Sequence, residues 1–400
     1  MKINRHTIST IILLSLPFQF NLNVDSLSMF LNNIKHEWAN GRELSYYENY
    51  FLRKISYYIA FISAISFVFI YYRIKKLRSM VSLGFYIYAF TWLLYFAVDE
   101  NRIYVLFIIR GLQGIFHALF QVSFVTYIYH FIQPDHKCFY GCFFQFMMFF
   151  GLLLLNLLFY LTNWKTVSIV LFMQALVFGS LIWFVPDVKI KPKSMSKESI
   201  FSKAHLKCLL VMLMLMILQQ LSGIGVLLGQ FTEILMSVGL NIDNHLQAIM
   251  FDFVGVISTF IAAFITDTIS TRYMWCLSAF GLCISLIIYG ITLKIELPKW
   301  VAILGVFIFF LFFGLGEGQI PWYVSGTFFP EEVRIESSAI CICLHTFLSP
   351  ILDLLWDFLY KKVGLFGSIV FCCVICFCSI FLGLLIPIEY SKKIDSISII

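Results

Sequence analysis

Across 400 residues, 60% are hydrophobic and only 12% are charged, with a mean hydropathy of +0.89. So few charges cannot coat a soluble globule, and the composition is that of an integral membrane protein. The net charge of +6 is accounted for by basic loops and requires no nucleic acid partner.

Twelve apolar runs are predicted as transmembrane helices, each long enough to cross hydrocarbon about 30 Å thick. In chain order they cover residues 8–30, 55–72, 80–98, 103–130, 139–161, 164–185, 207–236, 246–266, 273–293, 299–328, 336–360 and 364–387. The first is the least apolar, with Asn21, Asn23 and Asp25 inside it. No small-residue cleavage site follows its apolar opening from Thr10 to Phe20, so it reads as a span and not as a signal peptide.

Basic loops orient the spans, because Lys and Arg are retained on the cytoplasmic side. Arg73, Lys75, Lys76 and Arg78 form one cluster, and Lys189, Lys191, Lys193, Lys197, Lys203 and Lys207 form another. Both termini are therefore expected in the cytosol, with the plasma membrane as the expected location. Arg42, Arg53 and Lys54, and further on Lys361 and Lys362, weaken this asymmetry without reversing it.

The chain repeats itself weakly at a period of about 200 residues, a signature of transporters built from two related halves. Pro186-Asp187 and Pro387-Ile388-Glu389 close the two halves, Lys137 matches Arg334, and the basic stretch at Lys76 matches that at Arg272. The fold expected is an all-α membrane protein of twelve helices in two pseudo-symmetric six-helix halves. These are residues 1–186 and 208–400, with a cytoplasmic linker over 187–207.

Polar residues inside apolar spans carry the functional signal, since an unpaired polar group in hydrocarbon costs several kcal/mol. The segment Gln219-Gln220-Leu221-Ser222-Gly223-Ile224-Gly225 is the most conspicuous, and Gln145 is a lone amide among Phe143, Phe144, Phe146 and Met147. His345, Ser349, Asp353 and Asp357 recur every four residues and form a polar stripe along one helix. Four of the 11 cysteines, Cys372, Cys373, Cys376 and Cys378, crowd the last span. No His, Asp or Glu accompanies them in that helix, so they read as packing residues and not as a metal site.

Gln219 to Ile224 and the segment Gly316-x-Gly318-x-Ile320-Pro321-Trp322 resemble signatures of the sugar porter family of the major facilitator superfamily, which includes facilitative glucose transporters. Arg110 with Gly114, Tyr127, Phe329 with Arg334, Pro186-Asp187 and Pro387 to Glu389 match weaker family signatures in the same order. The chain departs from the family at several points. Glu317 and Gln319 replace prolines, Gly225 stands for an asparagine, Gly314 for a glutamate, His130 for an acid and His345 for an asparagine.

The resemblance implies transport of a monosaccharide, a hexose such as glucose, by a monomer without cofactor. Gln145, Gln219, Gln220, Trp322, His345 and Asn21 are then expected at the substrate. Amides donate and accept together, and an aromatic ring covers the apolar face of a sugar. Arg110, Lys137, Asp267, Arg272 and Arg334 are expected as ion pairs at a cytoplasmic gate, with Glu331, Glu332 and Glu336 as available partners.

Phe18-Gln19-Phe20-Asn21 resembles the family's first-helix motif, with Asn21 where proton-coupled members generally carry an aspartate. An amide cannot carry the proton, which favours facilitated diffusion. Glu317 and Asp252, carboxylates inside spans, keep proton symport open as the alternative. A non-transporting sugar sensor is the other alternative, and the short tail after the last span speaks against it. An enzyme is not expected, because no nucleophile, base and orienting acid converge and no nucleotide motif occurs.

Overall fold

The computed structural model describes residues 5–35, 37–38, 43–74, 76–131, 137–187, 199–225, 227, 244–266, 268–298 and 300–387. The side chains of 5–7, 20, 21, 24, 25, 137, 244 and 245 also fall outside that set. Among these residues every regular element is a helix.

The helices are α1 Arg5–Leu13, α2 Ser15–Lys35, α3 Tyr46–Ile74, α4 Leu77–Leu93, α5 Tyr104–Phe131, α6 Lys137–Leu161 and α7 Trp164–Leu181. They continue with α8 Lys203–Leu221, α9 Asn244–Thr266, α10 Thr271–Thr292, α11 Trp300–Leu315, α12 Ile320–Thr327 and α13 Arg334–Gly383. Short 3-10 turns extend α4 over Leu94–Ala97 and α7 over Ile182–Phe184. Among the described residues ten helical stretches are long and apolar enough to cross a membrane. The longest, Glu331–Gly383, holds two of the predicted spans.

Four departures from the predicted spans have local causes. Pro17 has no N–H to bond the Leu13 carbonyl, and the first span is divided at Leu14 into α1 and α2. The span predicted over 207–236 breaks after Leu221, where Gly223 takes φ 103°. The span predicted over 299–328 breaks between Leu315 and Ile320. The short loop predicted over 361–363 is helical instead, and the chain turns at the single residue Gly364, with φ 68°. Both glycines hold the left-handed conformation that an L side chain resists.

The chain divides into two compact units. One comprises Met1–Ile132, Met147–Ser199 and Pro330–Phe347, the other Gln133–Phe146, Ile200–Phe329 and Leu348–Ile400.

In the first unit α5 is the central helix, packed against α2, α3 and α4. Its Gly114 lies so close to α3 that a Cβ there would stand 2.4 Å from the Ser56 carbonyl oxygen, the small-residue contact that lets membrane helices approach. Aromatic rings fill the rest, with Phe30 on Tyr95 at 4.0 Å and Phe85 on Phe120 at 4.3 Å. The Ser82 hydroxyl donates to the Gly179 carbonyl at 2.8 Å and joins α4 to α7, whose start is capped by the Asn163 side chain accepting from Thr166 N–H.

In the second unit α10 and α11 are clamped by two hydroxyls. Ser278 donates to the Phe312 carbonyl at 2.7 Å and Ser285 to the Gly305 carbonyl at 2.8 Å. Because lipid offers no hydrophobic drive between helices, such bonds and close packing carry the association.

Candidate functional site

The break between α11 and α12 begins with a missing donor. Pro321 has no N–H, so the Glu317 carbonyl four residues earlier loses its helical partner. Trp322 N–H bonds the Gln319 carbonyl at 3.2 Å, and the Gly318 carbonyl is released as well. Gln219 at the end of α8 supplies both missing donors, with Nε2 donating to the Glu317 carbonyl at 2.8 Å and to the Gly318 carbonyl at 2.7 Å. Its Oε1 accepts from Gln220 Nε2 at 3.4 Å.

The end of α8 is shaped by the next three residues. Ser222 turns its hydroxyl back to the Gln219 carbonyl at 2.8 Å. At Gly223 any side chain would meet Cys372, whose Sγ and Cβ stand 3.0 Å from a Cβ placed there. Gln219 is thereby buried and held, whereas Gln220 is half-buried.

Glu317 is fully buried at the centre of this break. Its N–H donates to the Ser278 hydroxyl at 2.9 Å, and its Oε1 accepts from the Ser379 hydroxyl at 2.7 Å. Trp275 Nε1 donates to Ser379 Oγ at 3.0 Å, completing a relay from α10 through the last helical arm to the break. Oε2 is buried without a hydrogen-bond partner among the described residues.

Trp322, on the first turn of α12, is buried and stacked on Phe144 with ring centroids 5.1 Å apart. This places the α6 turn that carries Gln145 beside α12. Gln145 is itself buried, and its Oε1 has no partner among the described residues. Four of the six expected substrate residues, Gln145, Gln219, Gln220 and Trp322, therefore fall in the second unit.

His345 lies in the first unit, where its ring is 6.4 Å from Tyr57, and Tyr57 is 6.5 Å from His117. The side chain of Asn21 lies outside the described residues, although its backbone is part of α2. Along the predicted polar stripe His345 and Asp353 are half-buried and Asp357 is exposed. Asp252 is buried within α9.

The residues expected at a gate have separate surroundings. Arg110 is buried and donates to the Asn23 carbonyl, to Gln113 Oε1 at 3.1 Å and to Ser56 Oγ at 2.8 Å. It sits near the Tyr104 end of α5, next to the 99–103 connection.

Arg272 donates Nε to the Ile386 carbonyl at 2.7 Å. Arg334 is buried with its guanidinium 5.7 Å from the Tyr129 ring centroid. Lys137 has no described side chain, and Asp267 lies outside the described residues. Of the acids expected near Arg334, Glu331 meets His130 at 3.0 Å and Glu336 accepts from the Tyr72 hydroxyl at 2.7 Å.

Sequence reasoning passed over Gln113, His117 and Gln121, all buried on α5 with Arg110. Their spacing of three, four and four residues is a helical stripe that periodicity alone could have found. It also passed over Ser278 and Ser379, whose importance rests on which carbonyl or carboxylate each one reaches and leaves no local pattern.

The structure matches a double-tryptophan mutant of XylE with a TM-score of 0.80 at 17% identity, covering 96% of this chain and 95% of that one. It matches the inward-open xylose transporter XylE from E. coli with a TM-score of 0.69 at 18% identity, covering 98% and 97%. Together with the ten apolar helices, this makes the chain a multi-pass membrane protein with the fold of the major facilitator superfamily.

In sequence, a facilitated trehalose transporter of Apis mellifera ligustica is 24% identical over 205 residues, and one of Anopheles gambiae is 28% identical over 166. These alignments take in 50% and 40% of this chain, and 41% and 21% of the relatives, so the chain spans well under half the length of the curated relatives it matches. The Sugar (and other) transporter family model matches residues 187–398, and the chain belongs to that family.

Proposed function

We propose that this protein carries a sugar across a membrane by alternating access of two six-helix halves, 1–186 and 208–400. The favoured substrate is a monosaccharide of hexose size and the favoured mode is facilitated diffusion by a monomer. The plasma membrane, with both termini in the cytosol, is the favoured location.

One observation carries the reading. In a chain of the sugar transporter family, the amides of Gln219 and Gln220 lie at the α8 break, beside the α12 turn that stacks Trp322 on Phe144. Amides and an aromatic platform are the chemistry that a ring of hydroxyls with one apolar face requires. Both Gln219 N–H groups serve the α11–α12 break, so its contribution to a sugar would come from Oε1, alongside Gln220, Gln145 and the Trp322 ring.

Asn21, an amide where a coupling acid would stand, supports diffusion down a gradient, as does the description of the similar insect proteins as facilitated transporters. Those proteins are described as trehalose transporters, which makes a disaccharide the competing substrate. Proton symport is a second reading, favoured by the unpartnered buried oxygen of Glu317.

Counterflow of radiolabelled glucose, fructose, xylose and trehalose in proteoliposomes, with and without an imposed proton gradient, separates these readings. Exchange of a hexose at the same final level under both conditions is the expected result. Accumulation driven by the proton gradient would overturn the uniport reading. Absence of exchange of any of the four sugars would overturn transport of this substrate class.

A further inference from the structure

The last helical arm, 365–383, runs antiparallel to α10, and the two are matched side chain to side chain. The Cys276 thiol donates to the Ile380 carbonyl at 3.3 Å, Trp275 Nε1 donates to Ser379 Oγ at 3.0 Å, and further along Gly290 lies against Ile369. Between these contacts Cys283 of α10 faces Cys373 of the arm, with the two sulfurs 3.5 Å apart. Each sulfur also stands 3.9 Å from the other residue's main-chain oxygen, so neither side chain is turned away.

The cysteines of the arm have separate surroundings. Cys372 packs on Gly223, Cys376 donates to the Ser222 carbonyl at 3.4 Å and Cys378 is exposed. Among the described residues, Cys373 is the one of the four that faces a second thiol. It is half-buried and lines a groove of about 320 Å³ between α10 and the arm, whereas Cys283 is buried. Closing the sulfurs from 3.5 Å to the about 2.05 Å of a disulfide is a movement that side-chain rotation supplies.

We propose that Cys283 and Cys373 are an oxidation site, a thiol pair that a peroxide converts into a disulfide tying α10 to the last arm. Hydrogen peroxide is small and uncharged, and the groove gives it access to Cys373. The Cys373 sulfur gives up its proton and attacks the O–O bond, leaving a sulfenic acid and one water. The Cys283 sulfur then displaces the sulfenic oxygen, which leaves as a second water. Two thiols and one peroxide become one disulfide and two waters, and the two electrons lost by sulfur are gained by the peroxide. Ser278 on α10 and Ser379 on the arm both bond Glu317, so the disulfide would fix together the two helices that hold the α11–α12 break.

The test uses the detergent-purified full chain treated with hydrogen peroxide, then unfolded, alkylated and cut with trypsin. The reduced chain should alkylate at all 11 cysteines and the oxidised chain at two fewer. Cleavage after Arg272, Lys294, Lys362 and Lys392 separates the partners, so the disulfide is read as peptide 273–294 joined to 363–392, with Cys283 and Cys373 located by fragmentation. Cys283→Ser should abolish the link and leave a sulfenic acid at Cys373 that dimedone traps. Cys373→Ser should abolish the link and leave Cys283 unmodified, while Cys372→Ser should form it as the wild type does. A wild type that keeps all its thiols, a link from Cys283 to Cys372 or Cys376, or an undiminished link in Cys373→Ser would overturn the proposal.

Discussion

The side-chain amide of Gln219 donates to the main-chain carbonyl of Glu317 at 2.8 Å, and to that of Gly318 at 2.7 Å. Both acceptors exist because Pro321 and the tight turn after it withdraw the N–H groups that a continuous helix would have supplied. The glutamine of one helix thus completes the backbone of another. Gln220 beside it is half-buried and donates to Gln219 Oε1 at 3.4 Å.

The two neighbouring amides should therefore separate on mutation. Gln219→Leu leaves two buried carbonyls without donors and should lower unfolding stability by about 2–4 kcal/mol, at about 1–2 for each. Gln220→Leu should cost under about 1 kcal/mol while weakening sugar binding by about tenfold. Thermal unfolding in detergent and equilibrium binding of the transported sugar measure the two effects. Equal stability of both variants would remove Gln219 from its structural role.

Ser379 is the hydroxyl that satisfies Glu317 inside the bundle, and Trp275 in turn satisfies Ser379. Ser379→Ala should cost about 1–3 kcal/mol, because a buried acceptor loses its donor. Glu317→Gln keeps the accepting oxygen and the side-chain volume, and should unfold within about 1 kcal/mol of the wild type. Under the uniport reading it should also leave the equilibrium level of uptake unchanged with or without a protonophore. Accumulation present in the wild type and lost in Glu317→Gln would move the coupling to this acid.

A pH effect is expected outside the membrane. Glu37 accepts from Lys165 at 3.0 Å and from Trp164 Nε1 at 3.0 Å, and the Lys165 contact, then Trp164, holds its carboxyl below the ordinary value of 4.5. A lowered value in the folded state means that the stabilisation is complete above pH 4.5 and is lost as pH falls through the folded value. Both partners are half exposed, so the contribution is at most about 1 kcal/mol. Unfolding of the wild type from pH 7 to pH 3.5 should show a small loss that is absent in Glu37→Gln. Parallel curves for the two proteins would assign the loss elsewhere.

The orientation inferred from basic loops has a direct check. A cysteine placed at Ser196, in an otherwise cysteine-free background, should resist an impermeant thiol reagent in intact cells and react after permeabilisation. Labelling from outside would invert the topology proposed from the loop charges.

Hydrophobic length alone determined the membrane class, the helical architecture and most of the helix ends, because each apolar run must satisfy its own backbone to enter lipid. Two short motifs, Gln219 to Ile224 and Gly316 to Trp322, pointed to the family. The breaks inside those motifs were decided by tertiary structure. A helix can stop at Leu315 and restart at Ile320 only if another helix supplies donors for the released carbonyls, and Gln219 does so. The same holds for Arg110, whose partners Asn23 and Ser56 are 87 and 54 residues away along the chain. Local sequence can show that a polar side chain is costly in hydrocarbon, but which distant group relieves that cost is a property of packing.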